Sequence, residues 1–289
     1  MKSLLVISFL SSIYLTAFAQ KGLKIFHITS SHTSFPDTAR LNGHEYHNVL
    51  YDAATHYGDS SVLIIIPPKF DATKKTDIVF WFHGWGNNID SAAVRYDLIN
   101  QFVNSKINAM LVLAETAKDA PDSYGGKLER PNEFKELVDD VMLKLAKEKV
   151  INKTHAIGNV VLAGHSGAYR VMAYILQNGN VPVNEVILFD ALYAETDKFI
   201  NWIKKDTAHR FINIYTNGGG TDVESKEMVK QLANENIDSY ILEEPQLTPG
   251  VLQQHKIVII HSLHEHNDII QRPDNFKLFI ENGVLQKMN

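Results

Sequence analysis

The sequence is 289 residues long, has no cysteine, sets 28 basic against 33 acidic side chains and is 45% hydrophobic. That composition excludes a disordered chain, a collagen-like fibre and a disulfide-stapled mini-domain, and a formal charge of −5 gives no electrostatic footprint for nucleic acid or an anionic membrane. The absence of cysteine also removes thiol catalysis, iron–sulfur clusters and cysteine-ligated zinc.

The first segment in chain order reads as an export signal. Lys2 is followed by a nearly unbroken apolar stretch over 4–19, slightly short for a bilayer span. Ala17 and Ala19 then supply small residues at the −3 and −1 positions of a cleavage site before Gln20. A cleaved signal peptide over 1–19 is expected, with a secreted or periplasmic mature protein and no further membrane span. Residues 20–60 form a less regular segment in which an edge strand or hairpin is expected. His32, His44 and His47, with Glu45, read there as solvated.

From residue 61 to 289 short apolar runs alternate with helical patterns. The runs cover 62–66, 78–82, 109–113, 160–163, 186–189, 211–215 and 257–260, with little polar alternation, as in strands covered on both faces. Between them Phe134, Leu137, Val138, Val141, Met142 and Leu145 follow the spacing of one helical stripe. Further helices are expected over 168–176, 199–205, 225–233 and from Asp268 onward. The alternation predicts one α/β domain with a doubly wound, mainly parallel sheet and helices on both faces. In such a sheet the ligand lies at the carboxyl ends of the strands.

Three loops at those ends fit one reaction. In Ala163-Gly164-His165-Ser166-Gly167-Ala168 a serine stands on a sharp strand-to-helix turn, with small residues two positions either side. An ordinary capped glycine turn is the plainer alternative. In His83-Gly84-Trp85-Gly86-Asn87-Asn88 the glycines let backbone N–H groups turn toward a neighbouring site, as an oxyanion hole requires. A simple turn with a core-facing Trp85 is the rival reading. The third loop, 261–268, offers His261, His264 and His266 as the base that a serine needs. His266, ahead of the expected last helix, is preferred, His264 is the alternate, and His261 at the strand end reads as structural.

In this order the motifs resemble those of the α/β-hydrolase superfamily, from about residue 61 to the C-terminus. The elbow departs from G-x-S-x-G only by Ala168 in the last place. The resemblance implies a serine esterase or lipase-like enzyme with little or no cap, and an oxyanion hole built from the amides of Trp85 and Gly167. The superfamily usually takes its acid from a loop such as Gly219-x-x-Asp222, though some lipase-like members use the preceding strand end, where Asp190 stands. Asp190 is preferred because a carboxylate in so apolar a segment needs a partner, with Asp222 as the alternate.

No cofactor is implied: no glycine-rich nucleotide motif follows the first strand, and His264-x-His266-x-Asp268 is a poor zinc pattern, with Ile269 and Ile270 where a third histidine is needed. The loop Asp119 to Gly126 is a candidate wall of the substrate cleft. The expected activity is cleavage of a small-molecule or polymer-linked carboxylic ester. A peptidase or amidase with the same triad and a non-catalytic binding protein on the same fold are the rivals.

Overall fold

A computed structural model describes residues 21–288, so the expected signal peptide over 1–19 lies outside the described residues. The chain opens with β1 (Lys24–Thr29), β2 (His44–Tyr46), β3 (Val49–Tyr51) and the single turn α1 (Ala53–His56). It continues through β4 (Ser61–Ile66), β5 (Thr76–Phe82), α2 (Ile89–Arg95), α3 (Leu98–Asn104), β6 (Ala109–Ala114) and α4 (Glu133–Lys147). Then follow β7 (Ile157–His165), α5 (Tyr169–Asn178), β8 (Glu185–Phe189), α6 (Thr196–Lys205), β9 (Arg210–Thr216) and α7 (Asp222–Asn234). The last elements are β10 (Tyr240–Glu243), α8 (Pro249–Gln254), β11 (Ile257–Ser262) and α9 (Asn275–Glu281).

The strands make a nine-stranded sheet in the order β1-β4-β6-β5-β7-β8-β9-β11-β10, and β2 and β3 form a separate antiparallel hairpin. The strands from β6 to β10 in that order run parallel; β4 is antiparallel to β6, and β1 to β4. Residues ahead of Ser61 thus contribute an edge strand to the main sheet as well as a hairpin. His32 in the same segment is half-buried, its Nδ1 2.8 Å from Glu133 Oε2 rather than in water.

The alternation of side chains along a strand explains the layers. Ile78, Phe80 and Phe82 of β5 pack with Phe134 and Leu137 of α4, Val171 and Met172 of α5, Phe199 of α6 and Met228 of α7. Val79 and Trp81 face the other way, onto Ile89 of α2, Phe102 of α3, Leu252 of α8 and Phe276 of α9. Strands buried on both faces need no polar face, and each fully buried large apolar side chain contributes about 1.5–3 kcal/mol.

The last helix starts later than its sequence pattern predicts, at Asn275 instead of Asp268. Pro273 has no N–H for the carbonyl of Ile269 four residues back, and Asn275 Nδ2 donates to that carbonyl at 2.9 Å. From β5 the chain passes to β6 on one side and then to β7 on the other, so a crevice forms between the carboxyl ends of β5 and β7.

Candidate active site

Ser166 sits at that crevice, immediately after β7. Its φ is +54°, the left-handed region that costs a side-chain-bearing residue about 1–2 kcal/mol. The turn is tight enough to require small neighbours. A Cβ on Gly164 would stand 2.7 Å from Ala168 Cβ and 2.5 Å from Met172 Sδ. Across the crevice, a Cβ on Gly84 would lie 2.6 Å from Ser166 Cβ, so the loop after β5 is in direct contact with the serine. Trp85 follows, and its indole lies against Gly167, where a Cβ would be 2.5 Å from Trp85 Cδ1. Trp85 is 46% exposed, so its ring does not face the core.

On the strand next to β7, Asp190 follows β8, fully buried and also at positive φ, +46°. His266 Nδ1 donates to Asp190 Oδ2 at 2.7 Å. The other donors to this carboxylate come from the loop after β9: Thr216 N at 3.0 Å, Thr216 Oγ1 at 2.6 Å and Thr221 Oγ1. Burial alone raises the pKa of Asp190, but the bonds from His266, Thr216 and Thr221 outweigh it and hold the group below the usual carboxylate range. Asp190 is therefore a buried anion, with one oxygen turned to an imidazole that keeps a quarter of its side chain exposed.

The structure brings together Ser166, Gly84, Trp85 and Gly167 at the crevice, and His266 with Asp190. It does not bring the alternates to either. Asp222 begins α7 and pairs with Lys226 at 2.7 Å, as an acidic residue in a first helical turn does. His264 Nε2 lies 3.8 Å from Glu244. His261 is held between Glu243 at 2.7 Å and Asn217 at 2.9 Å. Since Asp268 pairs with Arg272, the members of the His264-x-His266-x-Asp268 pattern face three different partners.

No family model matches the sequence, and no curated protein matches it. Solved structures do. A feruloyl esterase module from Clostridium thermocellum in complex with sinapinate superposes with a TM-score of 0.52, over 89% of this chain and 95% of that one, at 12% identity. An S-formylglutathione hydrolase from Staphylococcus aureus gives 0.51 over 89% and 99% at 9% identity. A substrate-bound, fluorophosphonate-binding serine hydrolase from the same organism gives 0.52 over 91% and 98%, also at 9%. The chain has the α/β-hydrolase fold.

On this α/β-hydrolase fold several residues that sequence patterns did not single out hold the site. Thr216 and Thr221 bracket the glycine run whose sequence pointed to Asp222; the loop serves Asp190 instead, and a Cβ on Gly219 would overlap the Asp190 carboxylate at 1.7 Å. His83, fully buried, donates from Nε2 to Glu115 at 2.5 Å and from Nδ1 to the Gly84 carbonyl at 2.8 Å. Burial opposes charge on His83, but the bond and the charge of Glu115 raise its pKa, which fixes the crevice loop through a charge-assisted contact.

His165, beside the serine, carries a different load. Its Nε2 donates to the main-chain carbonyl of His266 at 2.9 Å, and its Nδ1 lies 3.2 Å from the Tyr96 hydroxyl. The two imidazoles are 4.4 Å apart. Burial, together with the repulsion of His266, pushes the pKa of His165 down to about 3. An unfolded histidine titrates near 6.5, so between these values the unfolded chain binds a proton that the folded one refuses. The stabilisation is fully present above pH 6.5 and is lost as pH falls toward about 3, amounting to about 2 kcal/mol by pH 5. Urea unfolding of wild type and His165→Asn at pH 7.5 and 5 should show the smaller acid loss in the variant; equal losses would remove His165 as a source of acid sensitivity.

Proposed function

We propose that the protein is a serine hydrolase that cleaves carboxylic esters through Ser166, His266 and Asp190. The observation that carries this reading is the 2.7 Å bond from His266 Nδ1 to a buried, ionised Asp190, alongside a serine in strained left-handed geometry. A buried aspartate on Nδ1 fixes the tautomer that leaves Nε2 free to accept a proton, and stabilises the imidazolium that follows.

The chemistry then runs in two halves. Ser166 Oγ attacks the acyl carbonyl as His266 Nε2 takes its proton, and the amides of Trp85 and Gly167 stabilise the developing oxyanion. His266 returns the proton to the departing alcohol. Water, activated by the same imidazole, releases the acid and restores Ser166. His165, kept neutral, avoids placing a second positive charge 4.4 Å from the imidazolium. Esters are favoured over amides because the structurally similar proteins named above include an esterase of feruloyl groups and a thioester-type hydrolase.

The connection after Asp190 contributes only α6 before β9, which leaves Ser166 accessible to an ester carried on a bulky or polymeric alcohol. Export by the 1–19 signal would place the reaction outside the cytoplasm. Treatment with a fluorophosphonate probe should label wild type and not Ser166→Ala, and wild type should turn over p-nitrophenyl acetate. A wild-type protein that neither labels nor releases nitrophenol from any simple ester would falsify the hydrolase reading.

A further inference from the structure

Tyr96, just past the end of α2, is buried, and its hydroxyl lies among side chains from three separate parts of the crevice. It is 3.2 Å from His165 Nδ1, at the end of β7, and 3.2 Å from Asn267 Oδ1, in the loop after β11. The Asn87 side chain, from the loop after β5, hydrogen-bonds the same hydroxyl. Asn87 Oδ1 already accepts from Asn88 N at 3.0 Å, which leaves the Asn87 amide group as the donor to Tyr96. His165 is neutral and has its one N–H at Nε2, directed at the His266 carbonyl 2.9 Å away, so its Nδ1 is an acceptor. The single hydroxyl proton is therefore shared between His165 Nδ1 and Asn267 Oδ1, while the hydroxyl oxygen accepts from Asn87.

Two bonds then fix His266 from different sides. The bond from Nδ1 to Asp190 holds one atom of the imidazole but leaves the ring free to pivot about that point. The bond from His165 holds the His266 carbonyl, and so the main chain from which the ring projects. Nε2 keeps one direction only when both ends are set. The loop around the base faces water, with Leu263 76% exposed and His264 exposed beside it, so it does not hold the ring by burial. His165 and Ser166 are also consecutive residues, on a strand paired along both edges. The strand end that presents the nucleophile thus anchors the base as well. An apolar ring at 165 could pack against Tyr96 without needing polar partners. What the buried imidazole adds is the bond to His266, with both of its nitrogens satisfied.

We propose, on the basis of the serine-hydrolase reading, that His165 and Tyr96 are positioning residues that hold His266 in place for Ser166. Through Asn87, Tyr96 also ties the base to the loop that supplies the Trp85 amide. Neither residue touches the reacting atoms, so their effect falls on the rate of the chemical steps and not on the binding of the ester.

With p-nitrophenyl acetate, Tyr96→Phe should lower kcat by roughly five- to twenty-fold and His165→Met by roughly ten- to a hundred-fold, each with KM within about three-fold of wild type. A glutamine amide can take the place of imidazole Nε2, so His165→Gln should recover most of the loss seen with methionine. The double variant Tyr96→Phe with His165→Met should be less impaired than the product of the two single losses, because the hydroxyl acts partly through the ring that methionine removes. Hydrogen exchange, read by mass spectrometry on the full chain, should speed up in the loop after β11 in Tyr96→Phe and His165→Met, while β5 exchanges as in wild type.

A kcat unchanged in both single variants overturns the positioning role, and so does a methionine loss that glutamine fails to restore. Faster exchange of β5 in step with the loop overturns it too, since that marks a general loosening of the fold. A wild type that labels with the fluorophosphonate and turns over ester, beside variants that are no slower, removes the positioning alone. A wild type that neither labels nor turns over removes the hydrolase; exchange of the loop, faster or unchanged in the variants, then keeps or removes the clamp by itself.

Discussion

Asp190→Asn should lower kcat for a simple ester by about four orders of magnitude, while Asp222→Asn stays within a few-fold of wild type. The two residues are both carboxylates at the carboxyl end of the sheet, and the difference lies in what they touch. Asp190 accepts from His266, from Thr216 twice and from Thr221. An asparagine can present one acceptor oxygen to these donors, and its amide group confronts the rest with a donor of its own. The imidazole then loses both the carboxylate that selects its tautomer and the charge that stabilises its protonated form. Asp222 touches none of this and holds a partly exposed i,i+4 pair with Lys226, worth a few tenths of a kcal/mol. Stopped-flow or steady-state ester hydrolysis decides the matter, with thermal unfolding run alongside because Asp190 is buried. Asp190→Asn that keeps a tenth of wild-type activity, or Asp222→Asn that falls as far, would remove Asp190 as the acid.

The largest loss of stability from a single substitution outside the site is expected at Arg210. Glu185 and Arg210 open the neighbouring strands β8 and β9, in register with one another, and both are buried. Arg210 Nε donates to Glu185 Oε1 at 3.2 Å, and its remaining N–H groups donate to the carbonyls of Leu252 at 2.6 Å and His255 at 3.2 Å. Val284 N donates to the other Glu185 oxygen at 3.0 Å. Burial pushes the Glu185 pKa up while Arg210 pulls against it. Arg210→Met strands a buried carboxylate, and urea denaturation should show a loss of about 3–5 kcal/mol. The double substitution Glu185→Leu with Arg210→Met removes the stranded charge as well, and should recover a large part of that loss. A loss under about 1 kcal/mol in the single variant would mean that water already reaches the pair.

How much of this was legible beforehand follows from the kind of signal each residue leaves. The seven apolar runs all fall inside interior strands, since two buried faces leave an unmistakable composition. The edges left no such trace: β1 alternates between exposed and half-buried residues, and β10 buries only Leu242. The seven-residue helices α2 and α3 are too short for a stripe to stand out. At the site, Ser166 was readable because its strained turn demands small residues at fixed offsets along the chain. The carboxylate that meets His266 was harder to read, because the loop glycines sit next to Asp222 in sequence, whereas Gly219 is needed to clear Asp190, 29 positions earlier, and only the fold shows that. His165 left no signal at all. Its partner is a backbone carbonyl 101 residues away, and carbonyls carry no sequence.

The strand order also dictates when the site can exist. β10 is made before β11, yet β11 lies between β9 and β10, so the final strand must slot into the middle of a pairing rather than extend an edge. Until it does, β9 has an open border, β10 has nowhere to dock, and the loop bearing His266 is unanchored. A chain that stops before residue 257 therefore holds Asp190 without its imidazole partner, and presents an unpaired parallel strand to its surroundings. The same strand thus both closes the border of β9 and brings in the loop that carries His266.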